Sequence, residues 1–165
     1  MKTLLILRHA KSSWKHPELS DHDRPLNKRG KHDAPLMGQL LKEKKLVPDL
    51  IISSTAVRAK DTALAVAERV GYDNEIIFES TLYAVSPDAY IKAINNVADN
   101  GKDFSTILVI GHNPGLEELI EVLTGEMHEL ATCDLAVIEL PTKKWSNLNI
   151  RQGKLIDEIR IKDKG

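Results

Sequence analysis

Cysteine is almost missing from this sequence: Cys133 is the single one in 165 residues. That excludes an internal disulfide and a cysteine-based zinc site, and it is compatible with a reducing cytoplasm. An excess of charge is missing too. The formal net charge is −1, so no global basic field points to nucleic acid or to an anionic membrane. Any anion site has to be a local cluster. No stretch approaches the roughly 20 apolar residues of a membrane span. The N-terminal apolar run stops at Arg8, short of the roughly 7–15 residues at the core of a secretory signal. The expectation is a soluble, unsecreted, cytoplasmic chain. There is no Walker A glycine–lysine loop and no GxGxxG after a strand, so two glycine-rich phosphate cradles are excluded. No internal repeat or low-complexity segment appears.

What is present is ordinary for a globular protein, with 42% hydrophobic and 28% charged residues. The length predicts one domain over residues 1–165 with room for a real core. Thr3–Leu7 is a short continuous apolar run, the pattern of a strand covered on both faces. A long polar loop, Lys11–Leu26, follows. Asn27 then reads as the cap of a helix to about Lys45, with Leu36, Leu40 and Leu41 inward and Pro35 marking a kink. Pro48–Ile52 predicts a second strand, ending at Ser53-Ser54. Ala56–Val70 predicts a helix with Ala59, Ala63, Val66, Ala67 and Val70 on its inner face, closed by Gly71. Glu75–Phe78 predicts a third strand, followed by Glu79 and a loop from Ser80 to Val85. Ser86-Pro87-Asp88 opens a helix to about Asp99, ended by Asn100-Gly101.

Thr106–Ile110 predicts a fourth buried strand. Asn113 as cap and Pro114 as first residue then start a helix over Leu116–Leu123. Leu135–Leu140 is a fifth strand. Trp145–Ile150 and Lys154–Ile161 read as two short strands, turning at Gln152-Gly153 and forming an antiparallel edge; Lys162–Gly165 reads as a frayed end. The alternation of strand and helix predicts a three-layer α/β fold with a mostly parallel sheet.

Polar groups at the carboxyl ends of such strands face the crevice of the sheet. One strand ends in Arg8-His9, another in Gly111-His112, and a third delivers Ser53-Ser54 ahead of Arg58. If these strands are parallel neighbours, two imidazoles and two guanidiniums converge. Guanidinium forks match phosphate oxygens, and together these groups can stabilise a phosphoryl group in transfer. A neutral imidazole can attack phosphorus, and nearby arginines keep it neutral. Ser53 and Asn113 are candidate phosphate donors whose presence capping alone also explains. Arg24 either lines the pocket mouth or pairs with Asp21 or Asp23. His16, His22, His32 and His128 read as surface residues, and Cys133 as a small core residue.

Three segments carry a resemblance to a known family: Leu7-Arg8-His9-Ala10, Ser53 through Ala63, and Val109 through Gly115. In that order, at three strand ends, they resemble the histidine phosphatase superfamily, the phosphoglycerate mutase-like proteins. The compact length and Asp23 through Gly30 resemble its short SixA-type branch of phosphohistidine phosphatases. The resemblance implies that His9 is the nucleophile that becomes phosphohistidine. It implies that Arg8, Arg58 and His112 bind and polarise the phosphoryl group. Glu79 stands near the place of a proton donor in many relatives. No metal and no cofactor is implied. The implied partner is a phosphorylated protein, such as a phosphohistidine carrier, or a small phosphoester.

Rival chemistries fit less well. Cysteine phosphatases place Arg six residues after Cys, and Glu139 stands there after Cys133. Asp21-His22-Asp23 has the spacing of aspartyl phosphatases, but no apolar strand precedes it. A zinc hydrolase using His9, His112 and a carboxylate would set Arg8 and Arg58 beside a cation. A small-molecule phosphomonoesterase or mutase of the same family, and a non-catalytic phosphoryl-binding module, remain as alternatives.

Overall fold

The computed structural model describes residues 1–83, 86–97, 103–148 and 150–161. Six strands form one sheet: β1 (Lys2–Arg8), β2 (Leu50–Ser54), β3 (Ile76–Glu79), β4 (Thr106–Gly111), β5 (Leu135–Leu140) and β6 (Lys154–Ile159). Their order is β3-β2-β4-β1-β5-β6. The first four run parallel, whereas β5 pairs antiparallel with β1 and β6 antiparallel with β5.

Alternation along the strands builds two apolar layers. Leu4, Ile6, Leu50, Ile52, Ile107 and Val109 face α3 (Pro87–Val97) and α4 (Gly115–Thr124). Leu5, Leu7, Ile51, Leu108 and Ile110 face α1 (Lys28–Glu43) and α2 (Val57–Val70). Helices thus cover both faces of the sheet, the expected three layers.

Local chemistry sets the helix ends. The Asn27 side chain accepts from the Gly30 amide at 2.8 Å and starts α1. Gly71, at φ 81°, ends α2 in the left-handed region where glycine is the cheapest residue. Pro35 lies inside an α1 that continues past it. The inner face of α1 is Ala34, Met37, Leu40 and Leu41; Leu40 and Leu41 are inward as expected, whereas Met37 rather than Leu36 completes the stripe and Leu36 is only half-buried.

Two predicted features are replaced. Trp145–Asn147 forms a 3-10 turn rather than a strand. The cause is tertiary: Trp145 is buried, and its indole N–H donates to the Phe104 carbonyl at 2.7 Å. Asn113 does not cap α4, whose N-cap is Pro114. The predicted helix stop at Asn100-Gly101 and the frayed Lys162–Gly165 lie outside the described residues. Among the described residues, no helix is long and apolar enough to cross a membrane.

Candidate active site

The strand order supplies what spacing alone did not. β1 and β4 are parallel neighbours with Arg8 opposite Gly111, so His9 and His112 leave the sheet side by side. Their ring centroids lie 5.2 Å apart. β2, on the other side of β4, ends at Ser54, and α2 then carries Arg58 back over the same edge. A cavity of about 240 Å³ opens here, lined by Arg8, His9, Arg24, Arg58, His112 and Asn113, and also by Lys11, Ser12, Trp14 and Thr132. Among the described residues, its lining includes four cationic side chains and no carboxylate.

His9 is nearly buried, and its Nδ1 lies 2.8 Å from the Ala10 carbonyl oxygen. A carbonyl only accepts, so Nδ1 carries the proton and Nε2 keeps its lone pair. Burial pulls the His9 pKa down to about 4; the Ala10 bond opposes this, and Arg58, Arg8 and Arg24 add to it. The arginines act as expected, but burial is the larger cause. His112 is pulled to about 3, by burial first and then by His9 and Arg58. Its Nε2 lies 2.8 Å from the Ser54 hydroxyl, and its backbone N–H donates to the Tyr90 hydroxyl at 3.0 Å. Gly111 makes that last bond possible: a Cβ there would stand 2.1 Å from the Tyr90 oxygen.

The backbone around His9 is held by α2. The Ala10 N–H donates to the Thr62 hydroxyl at 3.0 Å, and that hydroxyl donates to the Arg58 carbonyl at 2.7 Å. The guanidiniums are held too. Arg8 Nη1 donates to the Leu130 carbonyl at 3.1 Å. Arg58 donates to the Asp21 carbonyl at 2.7 Å and to its carboxylate at 3.0 Å. Arg24 does both things foreseen for it: it lines the cavity and donates to Asp21 at 2.9 Å. The Tyr83 hydroxyl donates to the same carboxylate at 2.5 Å. Tyr83 first, and then Arg24 and Arg58, hold the Asp21 carboxyl far below the usual carboxylate range. Asp21 thus straps the long loop across α2.

Other predicted residues fall elsewhere. Ser53 is fully buried off the cavity, and its hydroxyl donates to the Ser54 carbonyl at 3.0 Å. Alternation turns Ser53 towards α1 and α2, so the neighbouring Ser54 meets His112 instead. Glu79 ends the edge strand β3, with β2 and β4 between it and β1, and does not line the cavity. Asn113 lines the cavity, but its amide donates to the Leu130 carbonyl at 2.8 Å and to Glu117 at 3.1 Å. His22 is not a plain surface residue: its Nε2 lies 3.0 Å from the Thr55 hydroxyl and its ring packs on Tyr83. Among the described residues, no group of three His, Cys, Asp or Glu side chains is placed to hold a metal ion.

Ser54, Thr62, Tyr83 and Tyr90 were not singled out from sequence as site residues, and of these only Ser54 had a visible signal, its place at a strand end. Asp21 was named only as a possible partner of Arg24, and its hold on Arg58 and Tyr83 was not foreseen.

A family model for the histidine phosphatase superfamily (branch 1) matches residues 4–84. An uncharacterized protein of Mycobacterium tuberculosis is 35% identical over 145 residues, covering 87% of this chain and 84% of that one. A chain proposed to be the phosphohistidine phosphatase SixA of Agrobacterium tumefaciens superposes with a TM-score of 0.80 at 28% identity, covering 96% of this chain and 97% of that one. The protein histidine phosphatase SixA, solved with tungstate, shares the fold at a TM-score of 0.84 and 21% identity over 99% of both chains. On the family match, the sequence relationship and the shared fold together, the chain belongs to the histidine phosphatase superfamily.

Proposed function

We propose that this chain hydrolyses phosphoryl groups through a phosphohistidine formed on His9, and that its substrate is phosphohistidine carried by a protein. One observation carries the reading: a neutral imidazole with its Nε2 lone pair free sits in a cavity ringed by the guanidiniums of Arg8, Arg24 and Arg58. Nε2 attacks phosphorus, and the bond to the leaving group breaks as the N–P bond forms. Arg8, Arg58 and His112 hold the phosphoryl oxygens while charge spreads over them. Water then attacks phosphorus, the N–P bond to His9 breaks, and orthophosphate leaves. Glu79 has no role in this scheme. An imidazole leaving group needs only a proton from solvent.

The preference for a protein substrate rests on space. The cavity, about 240 Å³, is smaller than the roughly 300–1,000 Å³ of sites that enclose a small molecule. A phosphoryl group fits within it, and its open rim leaves room for a bulky carrier beyond Trp14. The single cysteine supports action in the cytoplasm.

The test is phosphate release from a phosphohistidine-bearing protein and from p-nitrophenyl phosphate, with chelator present, for the wild type and His9→Ala. The expected result is release that chelator leaves intact, that the variant lacks, and that favours the protein. Preference for the small ester would overturn the substrate assignment. Release by His9→Ala would overturn the mechanism.

A further inference from the structure

Trp14 is 75% exposed, yet it lines the same cavity as His9, which is 7% exposed. It therefore stands at the open rim. The Arg24 guanidinium lies 3.4 Å from the centroid of its ring, a cation–π stack. Arg24 is fixed in turn: it donates to the Ser13 carbonyl at 3.1 Å, to Asp21 at 2.9 Å, and to the Ser12 hydroxyl. One face of the indole is thus held on a nearly buried side chain that is itself fixed by three hydrogen bonds. The ring's large exposure belongs to the other face.

A large aromatic face held in place at the rim of a polar pocket is preorganised for a flat partner. We propose that Trp14 is the stacking platform for a planar leaving group, receiving the imidazole ring of the substrate phosphohistidine while the phosphoryl group lies against His9. This rests on the phosphatase reading above and narrows its substrate class. Phosphoryl donors with a flat ring gain the stack. Aliphatic phosphoesters, such as phosphoserine or a phosphosugar, do not.

The molecule carries its own probe. Trp145, the second of its two tryptophans, is 1% exposed and bonded to Phe104, so a ligand-induced fluorescence change reports on Trp14. The experiment compares phenylphosphonate with methylphosphonate, neither of which can be hydrolysed, binding to the full chain. Affinities come from calorimetry, with fluorescence in parallel, for the wild type, Trp14→Phe and Trp14→Ala. Stacking one ring on an aromatic face changes affinity about 10-fold. Phenylphosphonate is expected to bind about 10-fold more tightly than methylphosphonate in the wild type and in Trp14→Phe, and no more tightly in Trp14→Ala. Equal affinities in the wild type would overturn the platform. So would an equal loss of both ligands in Trp14→Ala, which would mean that Trp14 only steadies Arg24. Binding of neither phosphonate to the wild type would overturn the platform and the phosphoryl site together.

Discussion

Acid presents His9 with a proton that the fold resists and the unfolded chain accepts. An unfolded imidazole titrates near 6.5, whereas His9 in its cavity titrates at about 4. Between those values the unfolded state binds more protons, so stability is complete above the unfolded pKa and is lost as pH falls towards the folded one. At about pH 5 the loss through His9 integrates to roughly 2 kcal/mol, and its limit at lower pH is roughly 3 kcal/mol. His112, at about 3, acts with the same sign. The assay is urea unfolding at stepped pH for the wild type and His9→Asn. Asparagine does not titrate in this range, and the other five histidines are common to both proteins. The wild type is expected to lose roughly 2 kcal/mol more than the variant between neutrality and about pH 5. Parallel stability curves would refute a buried, neutral His9. The same shift keeps the nucleophile unprotonated well into weakly acidic solution, so phosphatase activity is expected to hold until pH approaches about 4 on account of His9.

The remaining predictions concern what surrounds that imidazole. Gly111→Ala would set a Cβ 2.1 Å from the Tyr90 hydroxyl, inside a fully buried contact. It is expected to cost on the order of 1–3 kcal/mol in thermal unfolding and to displace His112; an unchanged melting temperature would contradict the packing. Arg58→Lys keeps the charge but loses the fork that grips Asp21, and kcat/KM is expected to fall about 100-fold or more. Thr62→Val leaves the buried Ala10 N–H without its acceptor. It is expected to destabilise by about 1–3 kcal/mol in urea unfolding and to lower kcat, because the peptide beside His9 is freed.

The strands and their chemistry were legible because covered strands spell themselves as apolar runs, and because Arg8-His9 and Gly111-His112 interrupt those runs at their ends. Convergence was not legible. It depends on β1 and β4 being neighbours, which no local pattern encodes. The misplaced residues fail for definable reasons. Ser53 and Ser54 are equivalent in composition, and only the phase of β2 decides which one meets His112. Asn113 has the residue type of a cap, but Leu130 and Glu117 hold its side-chain N–H groups, and its side-chain oxygen, the atom a cap would use, accepts no hydrogen bond among the described residues. Trp145 has strand-like neighbours but is recruited by the Phe104 carbonyl. Asp21, Tyr83 and Trp14 lie in or beside loops, where no periodicity marks a side chain as inward. Their roles come from Arg24 and Arg58, which draw the long loop onto α2.

The central claim is that His9 Nε2 becomes bonded to phosphorus during turnover. Rapid mixing with a radiolabelled phosphohistidine protein, followed by an alkaline quench, would trap that state. The account predicts label on the chain that survives base, is lost in acid, maps to His9 and is missing from His9→Ala. Turnover by the wild type with no trapped label, or label retained in His9→Ala, would contradict it.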